Sequence, residues 1–223
     1  EDYQVTVFFS KGGYLKKITP QSLRMSGEQK YKEGDGLLLS YESTNNAGLL
    51  VFTDRFQCYK AHLYDFQDTK ASTLGAYLPT ALKMDEGENA IFIMDPGDYT
   101  GNVLFMFENG KAAKVELAGF ETKTNRRKLT GAYSDKSPLV GIVPLKEDME
   151  LAVYTSDGRA IVFSTSLLAP KTTKSTQGVA VVTAKRNRRT IGVMPLNRTQ
   201  IKDAVRYRVR SIPSAGATLR DDD

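Results

Sequence analysis

Apolar residues in this chain fall in short alternating runs broken by polar turns, and one arrangement of them occurs four times. A short apolar strand runs into a polar turn. A second strand follows, and then a large apolar residue. The copies are Val7 to Leu23 (VFFSKGGYLKKITPQSL), Leu50 to Phe66 (LVFTDRFQCYKAHLYDF), Leu104 to Phe120 (LFMFENGKAAKVELAGF) and Ala152 to Leu168 (AVYTSDGRAIVFSTSLL). With Gly13, Phe56, Gly110 and Gly158 in register, Lys17, Lys60, Lys114 and Val162 come four positions on. Leu23, Phe66, Phe120 and Leu168 come ten positions on. The steps between units are 43, 54 and 48 residues. Alternation with β-branched and aromatic content predicts strands. A strand repeat of this period predicts a bladed or stacked array rather than one globular core.

Each unit reads as about four strands. Turn signals recur at Lys11-Gly12-Gly13, Glu108-Asn109-Gly110 and Ser156-Asp157-Gly158, where glycine supplies the positive φ of a tight hairpin. The second unit has Arg55-Phe56 there, which predicts a longer or strained turn. Polar linkers ending in glycine follow at 24–36, 67–75, 121–131 and 169–178, and further short strands come after them. Two units close on acidic turns, at Asp85–Glu88 and Lys146–Asp148. An insertion at Asp95–Gly101 is expected to lengthen the first hairpin of the third unit. Lys185-Arg186-Asn187-Arg188-Arg189 reads as a basic hairpin between the final strands of the fourth. The fold class is all-β, with blades at about 4–48, 49–89, 90–149 and 150–197 in one domain spanning 1–223. An Arg-rich tail covers 198–223. Its alternation over Val205–Arg210 suits one last strand, and the residues from Ser211 on are expected to be disordered.

Charge changes the picture more than composition does. The chain of 223 residues carries a net charge of +5, but residues 1–157 hold −4, residues 158–220 hold +12, and Asp221–Asp223 hold −3. No acidic residue occurs between Gly158 and Lys202. Segregation on this scale points to a polyanion partner, nucleic acid before any other. The candidate contacts are Arg126, Arg127 and Lys128 in the third linker, Lys171 and Lys174 in the fourth, and Arg159 after the fourth turn. The strongest patch is Lys185, Arg186, Arg188 and Arg189. Lys17, Lys60 and Lys114 share a repeat position and so should share one face. Their bland reading is exposed strand lysines that discourage edge pairing.

Catalytic signals are weak. His62 is the single histidine and reads as a satisfied strand residue. Asp85, Glu86 and Glu88 read as a turn rather than an acid/base pair. Lys11-Gly12-Gly13 lacks the strand–loop–helix context of a phosphate loop. The tyrosines and phenylalanines sit mainly at strand positions, where core packing is expected before base stacking. One cysteine, Cys58, excludes an internal disulfide and a cysteine-based zinc site, reads as a buried thiol, and fits a cytoplasmic home. No run approaches the length of a membrane span and no targeting segment is visible. The start at Glu1, close to the first strand, reads as a domain cut from a longer protein. A propeller-like module that binds protein is the alternative function, and an independent enzyme has almost no support.

Four units in register, with VFTDRFQCYKAHLYDF, VYTSDGRAIVFSTSLL and the following Ser-Thr-Gln-Gly-Val at 175–179, resemble the C-terminal β-pinwheel domain of bacterial type IIA topoisomerase A subunits, those of topoisomerase IV and gyrase. The resemblance covers about Gln4 to Leu196. It implies four-stranded blades that exchange an outer strand, arranged as an open spiral. It implies binding and bending of double-stranded DNA on a basic perimeter. It places catalysis, ATP and magnesium elsewhere in the parent enzyme, so no cofactor or metal is expected here. The implied partners are DNA, the ATPase subunit, and the catalytic part of the polypeptide to which this domain would belong. The isolated domain is expected to be a monomer near the nucleoid. Gyrase A subunits carry a basic, glycine-rich heptapeptide in the first linker. Here residues 24–36 hold three acids against three bases and no paired arginines, which favours topoisomerase IV over a gyrase-like relative.

Overall fold

The computed structural model describes residues 1–223. The chain begins with strands β1 (Gln4–Ser10) and β2 (Tyr14–Ile18), helix α1 (Pro20–Met25), then β3 (Leu37–Thr44), β4 (Gly48–Thr53), β5 (Cys58–His62) and β6 (Ala76–Tyr77). Helix α2 (Leu78–Ala81), β7 (Ala90–Met94), β8 (Asn102–Phe107), β9 (Lys111–Glu116), β10 (Lys128–Leu129) and β11 (Leu139–Leu145) follow. The last elements are β12 (Glu150–Thr155), β13 (Arg159–Ser164), β14 (Val179–Ala180), β15 (Thr190–Pro195), α3 (Ala204–Tyr207) and β16 (Ala217–Thr218). They make four four-stranded blades, ordered β3-β1-β2-β6, β10-β5-β4-β7, β11-β8-β9-β14 and β15-β12-β13-β16. The fold is an all-β pinwheel. At the centre of each blade is the hairpin that the repeated motif encodes. One edge strand of each comes from further along the chain: β6, β10 and β14 arise from the linker of the next unit, and β16 arises from the tail.

The blades fall into two compact units, Glu1–Asp98 with Lys123–Ala132, and Tyr99–Thr122 with Tyr133–Asp223. In the first, Val5, Val7, Phe9 and Leu15 of one blade pack against Leu49, Val51, Tyr59 and Ala61 of the next. In the second, Leu104, Met106 and Ala112 meet Leu151, Val153, Ile161 and Phe163. Each hairpin therefore presents alternate residues to a neighbouring blade. This two-sided burial is why its strands read as nearly continuous apolar runs.

All four hairpins close with the same spacing, as the cross-strand pairs Phe9–Leu15, Phe52–Cys58, Met106–Ala112 and Tyr154–Ala160 show. Gly13, Gly110 and Gly158 take φ of 93°, 87° and 77° at the turn. Phe56 takes 59° at the same place. The second turn is thus strained rather than longer, at a cost of about 1–2 kcal/mol for a bulky residue in left-handed backbone. The large apolar residues ten positions on also have a role. Phe66, Phe120 and Leu168 follow or end single 3-10 turns that start at Leu63, Leu117 and Thr165, and all three are buried.

Three expectations are corrected by the structure. Asp95–Gly101 does not lengthen a hairpin; it connects β7 of one blade to β8 of the next, where Pro96 packs on Gly48. Lys185–Arg189 is not a hairpin within one sheet. It joins β14, an edge strand of the third blade, to β15 of the fourth. The C-terminal segment is neither a strand over 205–210 nor disordered beyond Ser211. It forms α3 and β16, and its terminal Asp223 accepts hydrogen bonds from the Lys202 amide (2.8 Å) and the Tyr207 hydroxyl (2.6 Å). The edge of β13 requires this. Left unpaired, β13 would expose backbone donors and acceptors, and β16 takes the place that a linker strand takes in the other blades.

Candidate nucleic-acid interface

Two of the repeat-position lysines, Lys17 and Lys114, do share a face, but it is the buried one turned toward the following blade. Lys17 is 2% exposed. Its Nζ donates to the Leu63 carbonyl (3.1 Å) and Asn45 Oδ1 (2.5 Å), and lies 3.2 Å from Asp68. Lys114 is 5% exposed and donates to the carbonyls of Thr165 and Leu168 (3.1 Å each) and to Asp148 (2.8 Å). In both, the ammonium caps the 3-10 turn of the next blade: the Leu63 and Thr165 carbonyls, which also take the Phe66 and Leu168 amides, gain a second donor, and the Leu168 carbonyl gains its donor. Neither lysine can reach a phosphate, so both leave the candidate set. Lys60 is half-buried, beside the backbone of Arg127, whose carbonyl takes the Lys60 amide at 2.7 Å. Val162 stands at this position in the fourth blade, fully buried beneath Tyr207 of the tail. Where the tail rather than a 3-10 turn covers this position, an apolar residue replaces the cation.

Arg188 also leaves the candidate set. Its side chain is 2% exposed, its Nε lies 3.3 Å from Asp157, and Nη2 donates to the Ala215 carbonyl. Arg159 acts similarly, donating through Nη1 to the Gly216 carbonyl at 2.9 Å. Both arginines hold the tail against the fourth blade, Arg188 buried and Arg159 with 37% of its side chain still exposed. Lys128 is partly exposed but paired with both oxygens of Asp85 (2.9 and 3.0 Å). Lys174 donates to the Gly119 carbonyl at 3.0 Å, and its ammonium lies over the Phe120 ring.

What remains is a smaller set. In the first unit, Arg126 and Arg127 are exposed on the segment that leads into β10. In the second, Lys171, Lys185, Arg186 and Arg189 are exposed, the last three on one connection whose turn is closed by the Arg188 amide donating to the Lys185 carbonyl (3.0 Å). The sequence reading missed Arg198, Lys202 and Arg210, which are exposed on the ordered tail, and Lys111, half-buried at the cross-strand position that Arg159 fills in the fourth blade. The tail's density of arginine was visible in the sequence; that the tail folds onto the domain was not.

Two carboxylates, Glu88 and Asp148, are held by hydrogen bonds within the domain. Glu88 is 2% exposed. Burial alone would raise its pKa, but it accepts hydrogen bonds from the hydroxyls of Thr53 and Tyr59, the Asp85 amide and the Gln57 side chain, and these hold it below the usual value of 4.5. Asp148 is likewise lowered, by Lys114 first and then by Thr165. A carboxyl with a depressed folded pKa stabilises the fold above its unfolded pKa, and that contribution disappears as pH falls through the folded value. Stability should therefore be flat near neutrality and fall once pH drops below about 4.5, a curve read from urea midpoints between about pH 7 and 3. Glu88→Gln should lower the midpoint at neutral pH and flatten this acid limb. An unchanged limb would remove Glu88 from the explanation.

His62 ends β5 with its ring stacked on Tyr64 at 4.6 Å, and Cys58 is a buried free thiol in the same strand. No helix is long and apolar enough to cross a membrane.

No family model matches the chain. It is 26% identical over 172 residues to the A subunit of DNA topoisomerase 4 from Staphylococcus epidermidis, and 23% identical over 171 residues to the protein of the same name from Staphylococcus aureus. Each match covers 74% of this chain and 21% of the relative, so the chain spans about a fifth of the length of these relatives. Among solved structures, the C-terminal domain of DNA topoisomerase IV superposes with a TM-score of 0.74 at 23% identity, over 88% of this chain and 62% of that one. The C-terminal domain of E. coli ParC gives 0.70 at 14% identity, over 98% of this chain and 94% of that one. The C-terminal domain of DNA gyrase A gives 0.58 at 16%, over 89% and 67%. The expected β-pinwheel fold is thereby shown.

Proposed function

On the premise that this chain is homologous to a segment of topoisomerase IV A subunits, we propose that it is the C-terminal module of a type IIA topoisomerase and binds and bends double-stranded DNA without reading its sequence. The observation that carries the reading is the set of exposed cations Lys171, Lys185, Arg186 and Arg189 in the second unit, all from a stretch of sequence without an acidic residue, with Arg126 and Arg127 in the first. Exposed cations of this kind meet phosphates and position a duplex without specifying bases. DNA carries one phosphate charge per about 1.7 Å of axis, and each phosphate neutralised releases a counterion. Bending a site of 20–30 base pairs costs on the order of 1–6 kcal/mol, which interactions from several segments must offset. In the parent enzyme the module presents DNA to the catalytic part of the same polypeptide. Strand passage, ATP and magnesium belong to the parent outside this chain, together with the ATPase subunit.

The test is anisotropy titration of a labelled duplex of about 30 base pairs at several salt concentrations. Lys185→Ala, Arg186→Ala and Arg189→Ala combined should weaken binding about 10- to 100-fold, and the log–log salt slope should shrink by about 0.9 for each phosphate no longer neutralised. Lys128→Ala, which removes a cation already paired with Asp85, should change affinity less than about twofold. Wild-type affinity in the triple variant would defeat the reading.

A further inference from the structure

The repeat allows one position to be compared across all four blades. The residue after the hairpin turn pairs across the strands with a residue of the exchanged edge strand, or lies next to it. In the first blade the pair is Tyr14 and Tyr77; in the third it is Lys111 and Ala180; in the fourth it is Arg159 and Thr218. In the second blade Gln57 and Thr130 occupy the corresponding places. Three blades form without an aromatic residue at this position, so the fold does not demand the rings. Yet the first blade places two there, with centroids 5.0 Å apart and planes tilted by 38°. Tyr77 is 39% exposed.

The rings line an open groove of about 560 Å³ that also takes in Lys11 and Lys32. Both lysines are exposed. Two acids border it. Asp35 is occupied by the amides of Gly12 and Gly36, each 2.7 Å from its Oδ1, whereas Glu33 is exposed and makes no such contact. The walls are backbone at Gly12 and Gly34, and a flat ligand can approach the rings closely over them.

We propose that this groove holds an unpaired base of single-stranded DNA, stacked on Tyr14 and Tyr77, with the flanking phosphates on Lys11 and Lys32. The inference rests on the nucleic-acid reading above and extends it, because the third blade presents Lys111 where the first presents rings. A lysine at that position serves backbone phosphate. Paired tyrosines serve a base face, which is available only where the strand is unpaired. Stacking of this kind tolerates any base, so the groove takes single strands without sequence preference.

The experiment compares a labelled oligothymidylate of about 20 nucleotides, an abasic oligonucleotide of the same length, and the duplex used above, all on the 223-residue protein. Tyr77→Ala should weaken oligothymidylate at least about fivefold, leave the abasic strand within about twofold, and leave the salt slope unchanged, since no cation is removed. Tyr77→Phe should retain binding. Glu33→Gln should tighten both single strands. Thermal melts establish that the variants are folded, and photocrosslinking of 5-iodouracil oligonucleotide to wild-type protein should map to Tyr14 or Tyr77, which needs no variant. Oligothymidylate affinity unchanged in folded Tyr77→Ala, or crosslinks confined to the second unit, would overturn the proposal. Loss of duplex binding by the cation variants with the oligothymidylate effect intact supports the groove. Oligothymidylate binding with no duplex binding by wild type also supports the groove and sinks only the duplex reading.

Discussion

Lys114→Ala should destabilise the second unit by about 2–4 kcal/mol, one of the two largest effects expected from any single substitution in the chain. The Lys114 ammonium is the hydrogen-bond donor to two carbonyls, Thr165 and Leu168, at 3.1 Å each. Removing it takes the donor from the Leu168 carbonyl, at about 1–3 kcal/mol for a buried acceptor left unpaired, while the Thr165 carbonyl keeps the Leu168 amide; the cavity left by the stem adds to the loss. Asp148 loses its partner too, but its side chain is 45% exposed and water compensates most of that share. Lys114→Met should lose less than the alanine variant, since the stem still fills its volume. Lys17→Ala should act in the same direction in the first unit, where Asn45 Oδ1 loses its donor and the Leu63 carbonyl keeps only the Phe66 amide. The mirror experiment is Val162→Lys, which puts an ammonium into the apolar cluster of Ala152, Ala160 and Tyr207. It should destabilise by at least about 2 kcal/mol. Urea midpoints at constant m-value read all four. A shift below about 0.5 kcal/mol for Lys114→Ala would show that the ammonium is not a joint between blades.

Tyr207→Ala should cost about 3–5 kcal/mol, comparable to deleting a core aromatic elsewhere. Tyr207 is 1% exposed and covers Ala152, Ala160 and Val162 on the fourth blade. Its hydroxyl donates to Asp223 at 2.6 Å and accepts the Arg220 amide at 3.0 Å, so one side chain ties α3 to the chain end. Tyr207→Phe should isolate the hydroxyl at about 1 kcal/mol. Limited trypsin digestion gives a second readout. The intact tail should resist cleavage, because Arg206 is tied to the Thr218 carbonyl and Arg208 to both oxygens of Glu150. In Tyr207→Ala the 198–220 segment should be cut early. Equal digestion rates would mean that the tail is loosely held despite these bonds.

The central hairpin of every blade was legible because two signals agree there. Alternating apolar residues place the strands, and a residue with positive φ places the turn; even Phe56 obeys the register its neighbours set. The exchanged strands were harder to read. β6, β10, β14 and β16 are two residues each, too short for periodicity, and each is selected by an open sheet edge contributed by another unit of the repeat. Charge misled in a consistent direction. Lys17, Lys114 and Arg188 are cations, yet the interior accepts them because backbone carbonyls and a nearby acid replace their water. Composition cannot distinguish a lysine that grips a neighbouring carbonyl from one that awaits a phosphate.

By itself the amino-acid sequence determined that the protein is a fourfold β repeat with its positive charge gathered in the last third, because local alternation, turn chemistry and charge count are all written at short range. Tertiary structure decided which cations face water, which acid each buried one meets, and that the tail closes the fourth blade. Those outcomes depend on residues tens of positions apart arriving at one edge, where the cost of an unpaired carbonyl or strand edge is settled only after the blades have packed.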